Sequence, residues 1–161
     1  MKAIVVVDQN WGIGRDGKLL IHLPGDLKYF KEKTLGKVLV IGRETLQSLP
    51  GGKPLPGRQT IVLSRDAQFE ASCKKCTSMG DLFKELEGCD MNEVFIAGGA
   101  SVYKQFLPYC DTYYVTKIFS ELDADCFFPN LDKLKGLKVV WESDLMEESG
   151  VKYQFIEYRK K

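Results

Sequence analysis

FIAGGASVYKQFL, Phe95 to Leu107, decides the fold. Its first residues close an apolar run, Glu93–Ala97, that reads as a buried strand. Two glycines follow, and an amphipathic segment, Ala100–Leu107, begins at once. The same order of strand, polar junction and helix recurs along the chain. The strands expected are Ala3–Val7, Val38–Ile41, Thr60–Leu63, Glu93–Ala97 and Thr112–Ile118, with Lys138–Trp141 and Tyr153–Tyr158 near the end. The helices expected are Gly25–Thr34, Arg43–Ser48, Met79–Leu86 and Ala100–Leu107. Nearly all-apolar strands separated by helices predict a mainly parallel sheet covered on both faces. The last two strands have no helix between them. A turn at Glu148-Ser149-Gly150 is expected to join them as an antiparallel pair. No repeat, linker or low-complexity stretch divides the chain, so 1–161 reads as one α/β domain. Its central sheet is expected to hold about eight strands, with an antiparallel C-terminal strand.

The bulk numbers agree. A chain of 161 residues, 44% apolar and 28% charged, suits one soluble domain with a sizeable core. The net charge of +1 gives no general attraction to nucleic acid or acidic membranes. No apolar run reaches the roughly 18 residues of a membrane span. MKAIVVVDQNWG reads as a first strand rather than a signal peptide, so a cytoplasmic location is expected. Five cysteines, thinly spread, argue against a disulfide framework. Cys73 and Cys76 form a C-x-x-C, but no second pair or clustered histidine completes a zinc site, and no metal is expected. They are read as incidental.

Two loops are long or unusual. QNWGIGRDGKLLIHLP follows the first strand, and LPGGKPLPGR packs three prolines and three glycines into Leu49–Arg58. Such loops at strand ends are where α/β proteins place ligands. GIGRDG, Gly12–Gly17, matches G-x-G-x-x-G, but an Asp16-Gly17 turn and Pro24 follow it where a helix should open. It is read as a mobile loop. Gly98-Gly99 is better placed: backbone can approach a ligand closely there, and the free amides that follow suit phosphate oxygens. Arg43 with Thr45, and Ser64 with Arg65, put arginine and hydroxyl groups at two further strand ends, which suits a phosphate monoester.

One carboxylate is out of place. In HLPGDLKYF, Asp26 shares about a quarter of the helix surface with Leu27, Phe30 and Thr34, while Lys28 and Glu32 point away. An acid in the first turn of a helix has a plain explanation in the helix dipole. An acid among apolar neighbours also has its pKa raised, as a proton donor or a partner for a cationic ligand requires. No nucleophilic set accompanies it, and chemistry carried by a cofactor fits that poverty.

Taken together, IVVVDQNWGIG, HLPGDLKYFKEKT, VIGRETLQSLP, PLPGRQTIVLS, FIAGGASVYKQFLP and DADCFFP resemble the bacterial type of dihydrofolate reductase, in the family's order and nearly its spacing. The resemblance implies NADPH-dependent reduction of 7,8-dihydrofolate to tetrahydrofolate. It implies that Asp26 binds the amino-pyrimidine edge of the pterin and promotes protonation of a ring nitrogen, supported by Thr116. Ile4 is implied to offer its backbone carbonyl, with Val5, Leu27 and Phe30 lining the pterin pocket. Arg58 aligns with the arginine that grips the folate α-carboxylate, Lys53 assists, and Leu49 and Leu55 flank the aminobenzoyl ring. Val6, Ile13 and Gly14 are implied to meet nicotinamide, and Gly98, Gly99, Ala100, Ser101 and Val102 the pyrophosphate, with Tyr103 beside the nicotinamide. Arg43, Ser64 and Arg65 are implied at the 2′-phosphate and Thr45 at another phosphate. Leu19, Gly42 and Leu63 complete the cofactor set. Gly12–Leu19 is implied to close over the site. Antifolate-type molecules are implied as further ligands, and the family default is a monomer.

The chain departs from the family pattern at three places. Leu20 and Ile21 stand where a Pro-Trp pair is usual, Ser101 where many bacterial members have Arg, and Ala97 where a larger aliphatic is common. Two other readings stay open on sequence: a riboflavin-pathway reductase of the same fold, and a family member that binds pterin and NADPH without turnover.

Overall fold

The computed structural model describes all 161 residues. The strands are β1 (Lys2–Val7), β2 (Gly12–Gly14), β3 (Val38–Gly42), β4 (Gln59–Leu63), β5 (Lys74–Cys76), β6 (Val94–Ile96), β7 (Thr112–Ile118), β8 (Cys126–Phe127), β9 (Leu137–Glu142), β10 (Met146–Glu148) and β11 (Val151–Lys160). The helices are α1 (Pro24–Thr34), α2 (Arg43–Ser48), α3 (Met79–Glu85) and α4 (Ala100–Phe106). The sheet runs β10-β11-β7-β1-β6-β3-β4-β5, with β9 added on β11 and a separate β2-β8 pair. From β5 to β7 all pairings are parallel; β11 runs antiparallel to β7.

Strand periodicity sets the two cores. In β3, Val38 and Val40 join the large cluster, where they meet Val102 and Phe106 of α4 and Leu82 of α3. The alternate residues, Leu39 and Ile41, face the other side: Leu39 packs with Ile4, Phe95, Tyr114 and Phe30 of α1, and Ile41 with Leu46 of α2. Helices therefore cover both faces. Phe106 is fully buried, a side chain whose removal from water contributes about 1.5–3 kcal/mol.

Two expectations need correction, one in the C-terminal hairpin and one on α1. The Ser149-Gly150 turn joins β11 to β10, not to β9. β11 is ten residues long, so one edge of it holds β10 at Val151–Tyr153 and β9 at Ile156–Lys160. Within the C-x-x-C, Lys74–Cys76 form the edge strand that pairs β4, and all five cysteines are free. On α1 the buried side chains are Tyr29 and Thr34, while Leu27 is 44% exposed. The Tyr29 ring packs tilted against Phe155 of β11 with ring centroids 3.9 Å apart, while Leu27 on the next flank of the helix stays open.

The loop from Gly12 to Leu19 is more ordered than a run of glycines suggests. β2 pairs with β8, and Arg15 and Lys18 exchange backbone hydrogen bonds around Asp16-Gly17, both at positive φ. That is the turn type for which an Asp-Gly pair is suited. No helix follows, so the G-x-G-x-x-G match is a chance one, as its context indicated.

Candidate active site

The ends of β1, β3, β4, β5 and β6 open on one cleft of about 1000 Å³. Such a crevice beyond the carboxyl ends of strands is where open α/β sheets bind ligands. Every residue expected to hold the cofactor lines it: Val6, Ile13, Gly14, Leu19, Gly42, Arg43, Thr45, Leu63, Ser64, Arg65 and the run Gly98 to Tyr103. Gly98, at φ +117, is held close to its neighbours: a Cβ there would stand 3.5 Å from both Thr45 Oγ1 and the Tyr103 hydroxyl. The Gly42 N–H donates to the Gly98 carbonyl at 2.7 Å, binding the ends of β3 and β6 together. The Tyr103 N–H bonds back to Gly99. The result is bare backbone lining the cleft where a diphosphate would lie.

The cationic groups differ in readiness. Arg43 is engaged by Asp66 at 3.1 Å and lies over the Phe69 ring at 4.7 Å. Arg65 is exposed and makes no ion pair. Arg58 is half-buried and likewise has no carboxylate partner. Its guanidinium donates to the Pro56 carbonyl at 3.1 and 2.7 Å and to Thr34 Oγ1 at 3.4 Å. Partial burial lowers its pKa from the usual 12.5 without threatening its charge. Thr34 ends α1. Lys53 is exposed in the same loop; Leu55 packs with Ile4 and Phe30, and Leu49 with Ile41.

Asp26 sits in the first turn of α1. The Thr116 hydroxyl, 5% exposed on β7, donates to Asp26 Oδ1 at 2.6 Å. Burial pushes the carboxyl up from 3.8 to about 6; the Thr116 bond opposes that rise, and the nearby Glu148 carboxylate adds to it. Asp26 and Leu27 line a small cavity of about 30 Å³ with Ile21, His22 and Ile118. Val6, Ile13 and Leu19 line both this cavity and the large cleft, so the acid lies where the two meet. The Ile4 carbonyl accepts the Tyr103 hydroxyl at 2.7 Å; a carbonyl has a second lone pair for another donor. No cluster of metal-ligating side chains exists.

Sequence reasoning missed several cleft residues. Thr77 and Ser78 line it because β5 ends there, and KKC is too short and too charged to announce a strand. Asp125 and Cys126 line it because β8 pairs with β2. Asp125 Oδ2 accepts the Asp16 N–H at 2.9 Å, and its own N–H donates to Gly14, while Arg15 reaches Asp123 at 2.6 Å. These bonds tie the Gly14–Asp16 loop over the cleft. Glu148, near Asp26, was invisible for the same reason: only the fold brings it there.

The chain matches the family described as dihydrofolate reductase over residues 1–160. It is 38% identical to the dihydrofolate reductase of Bacillus subtilis, covering 98% of this chain and 93% of that one. It is 40% identical to that of Staphylococcus haemolyticus over 139 residues, 84% of this chain and 81% of the other. Among solved structures, the dihydrofolate reductase of Enterococcus faecalis, complexed with NADP(H) and RAB-propyl, superposes with a TM-score of 0.86 at 33% identity, covering 99% of this chain and 95% of that one.

Proposed function

This chain belongs to the dihydrofolate reductase family, and from that premise we propose how its residues share the reaction. The protein reduces 7,8-dihydrofolate to 5,6,7,8-tetrahydrofolate with NADPH. The observation that carries the residue assignment is Asp26: one carboxyl group, raised to about 6, hydrogen-bonded by Thr116 and set where the cleft meets the small cavity.

The residues fit the cofactor. The cleft has the volume, the Gly98–Gly99 backbone leaves the space that side chains would fill, and Arg65 is a free cation at its rim. Gly98 to Val102 would hold the pyrophosphate, Arg65, Ser64 and Arg43 the 2′-phosphate, and Val6, Ile13, Gly14 and Tyr103 the nicotinamide. NADPH, when bound, supplies a hydride to the pterin ring. The remaining proton is the protein's task. Asp26 accepts hydrogen bonds from the amino-pyrimidine edge of the pterin and, being partly protonated near neutrality, favours the protonated ring. A cavity of about 30 Å³ beside it has room for a water to pass that proton. Thr116 fixes the orientation of the carboxyl group. Ile4, Val5, Leu27 and Phe30 surround the pterin. Arg58 grips the α-carboxylate, with Lys53 nearby, and Leu49 and Leu55 flank the aminobenzoyl ring. Antifolate-type molecules are competing ligands of the same pocket.

The protein acts as a monomer in this reading, which the supply of every one of these groups by one chain supports. No helix is long and apolar enough to cross a membrane; five free cysteines suit a reducing compartment, the cytoplasm. The test follows NADPH absorbance with purified protein. Oxidation that requires dihydrofolate, with tetrahydrofolate as product, supports the reading. Binding of both ligands without turnover would overturn it.

A further inference from the structure

Helix α1 begins without a cap of its own. Leu23 at the cap position has no side-chain acceptor, and Pro24 has no N–H. The amides of Asp26 and Leu27 bond back to the Leu23 carbonyl. The Gly25 amide is the one donor left, and its partner comes from the far end of the chain: Glu148 Oε1 at 2.9 Å. Glu148 is the half-buried last residue of β10, at the Ser149-Gly150 turn into β11. The hairpin abuts the helix closely. A Cβ on Gly25 would stand 2.4 Å from the Tyr153 hydroxyl and 3.5 Å from both Glu148 carboxylate oxygens.

We propose that Glu148 is a positioning residue for the reduction: it anchors the first turn of α1 and, by placing its own negative charge at the positive end of that helix, favours the protonated form of the neighbouring Asp26. The proposal rests on Asp26 being the group that promotes protonation. A helix N-terminus offers roughly half an elementary charge. Two carboxylates at one terminus share it, and the one that is more buried keeps its proton. Burial is the leading reason that Asp26 ionises at about 6, and Glu148 acts in the same direction. The other groups facing Asp26 are Thr116 on β7, Tyr29 on α1, Tyr103 on α4 and Tyr153 on β11. Burial raises all three phenols, so they stay neutral. His22 lines the small cavity with Asp26, and a His22→Asn background takes its imidazole out of the comparison.

Glu148→Gln keeps an oxygen for the Gly25 amide and removes the charge; Glu148→Ala removes both. The measurement is kcat/KM for dihydrofolate at saturating NADPH across the neutral range, made in a His22→Asn background. The E148Q profile should keep its acid plateau, while the alkaline limb moves down by on the order of half a pH unit. The rate above that limb falls about threefold. Thermal unfolding should separate the two variants, with E148A losing more stability than E148Q. An alkaline limb unmoved in E148Q overturns the proposal, even if E148A is destabilised, because a merely structural cap moves stability alone. Asp26→Asn distinguishes the levels: if it turns over at the parental rate, the assignment of the acid itself fails; if it is inactive while the E148Q limb stays put, only the role of Glu148 fails.

Discussion

Replacing Asp26 by Asn should make the ligand-free protein more stable at the pH where it makes the enzyme useless. The carboxyl group ionises at about 6 in the folded chain, against 3.8 for an ordinary aspartate. Between those values the folded state binds more protons than the unfolded one, so stability falls as pH rises through the window. At about 1.4 kcal/mol per pH unit, the full difference is about 3 kcal/mol. The carboxyl group borders an open cleft, so about 2–3 kcal/mol is the expectation. Asn has the same shape, still accepts the Thr116 hydroxyl and never ionises. The gain of D26N over the parent should be near zero at about pH 4, grow between about pH 4 and 6, and be complete by about pH 8. For a chain of this length that is roughly 5–10 °C in Tm. Urea unfolding of both proteins over this pH range, read by the fluorescence of buried Trp11, measures it. Equal stabilities at pH of about 8, or a gain independent of pH, would refute the linkage argument. Turnover of the same variant near neutrality should be greatly reduced while NADPH binding is kept.

Thr116→Val removes the hydroxyl that stabilises the Asp26 anion, so the alkaline limb of the pH–rate profile should move up, opposite to E148Q; a limb that moves down contradicts the bond's role. Arg58→Leu removes a charge-assisted contact of about 1.5–3 kcal/mol, a loss of about 10- to 100-fold in dihydrofolate affinity by titration, with NADPH affinity unchanged; an unaltered Kd overturns its assignment. Gly25→Ala should cost about 1–3 kcal/mol by driving a methyl into the Tyr153 hydroxyl, and Tyr153→Phe should recover much of it in the double variant. Strict additivity in that double-mutant cycle would show that the hairpin yields freely.

How much of this was legible in the sequence follows from the length of each element. The sequence marks β7 and α2 at their observed bounds, because seven residues of strand and a strand-end polar cluster carry clear patterns. β2, β5, β8 and β10 are two or three residues each, too short to show any period, and they exist because a neighbour supplies their hydrogen bonds. The residues expected at the cofactor line one cleft because many sit at or beside strand ends, and parallel strands bring those ends to one edge. Thr77, Asp125 and Glu148 were not, since each depends on one of the short strands for its position. The exposure of Leu27 is not legible for a related reason: the 3.6-residue period gives the angle between side chains, not the direction in which α1 is rotated against the sheet.

The departure at Leu20-Ile21 acquires a physical meaning from that placement. Both residues line the small cavity beside Asp26, and Ile21 packs against the cluster of Leu23, Ile118 and Tyr153. An indole would bring a nitrogen donor for water to this wall; an isoleucine brings none. The wall next to the acid is therefore apolar, and burial is the largest influence on its ionisation. Thr116 holds the anionic form from one side and Glu148 opposes it from the other. On the role proposed for Asp26, the balance among an apolar wall, one hydroxyl and one neighbouring carboxylate sets how far toward alkaline pH reduction persists. Ile21→Trp should therefore act on the pH profile and not on NADPH affinity: an indole that orders water at the acid favours the anion and moves the alkaline limb down. An upward movement would mean that the added bulk dries the site further, and that size rather than hydrogen bonding at this position controls the acid.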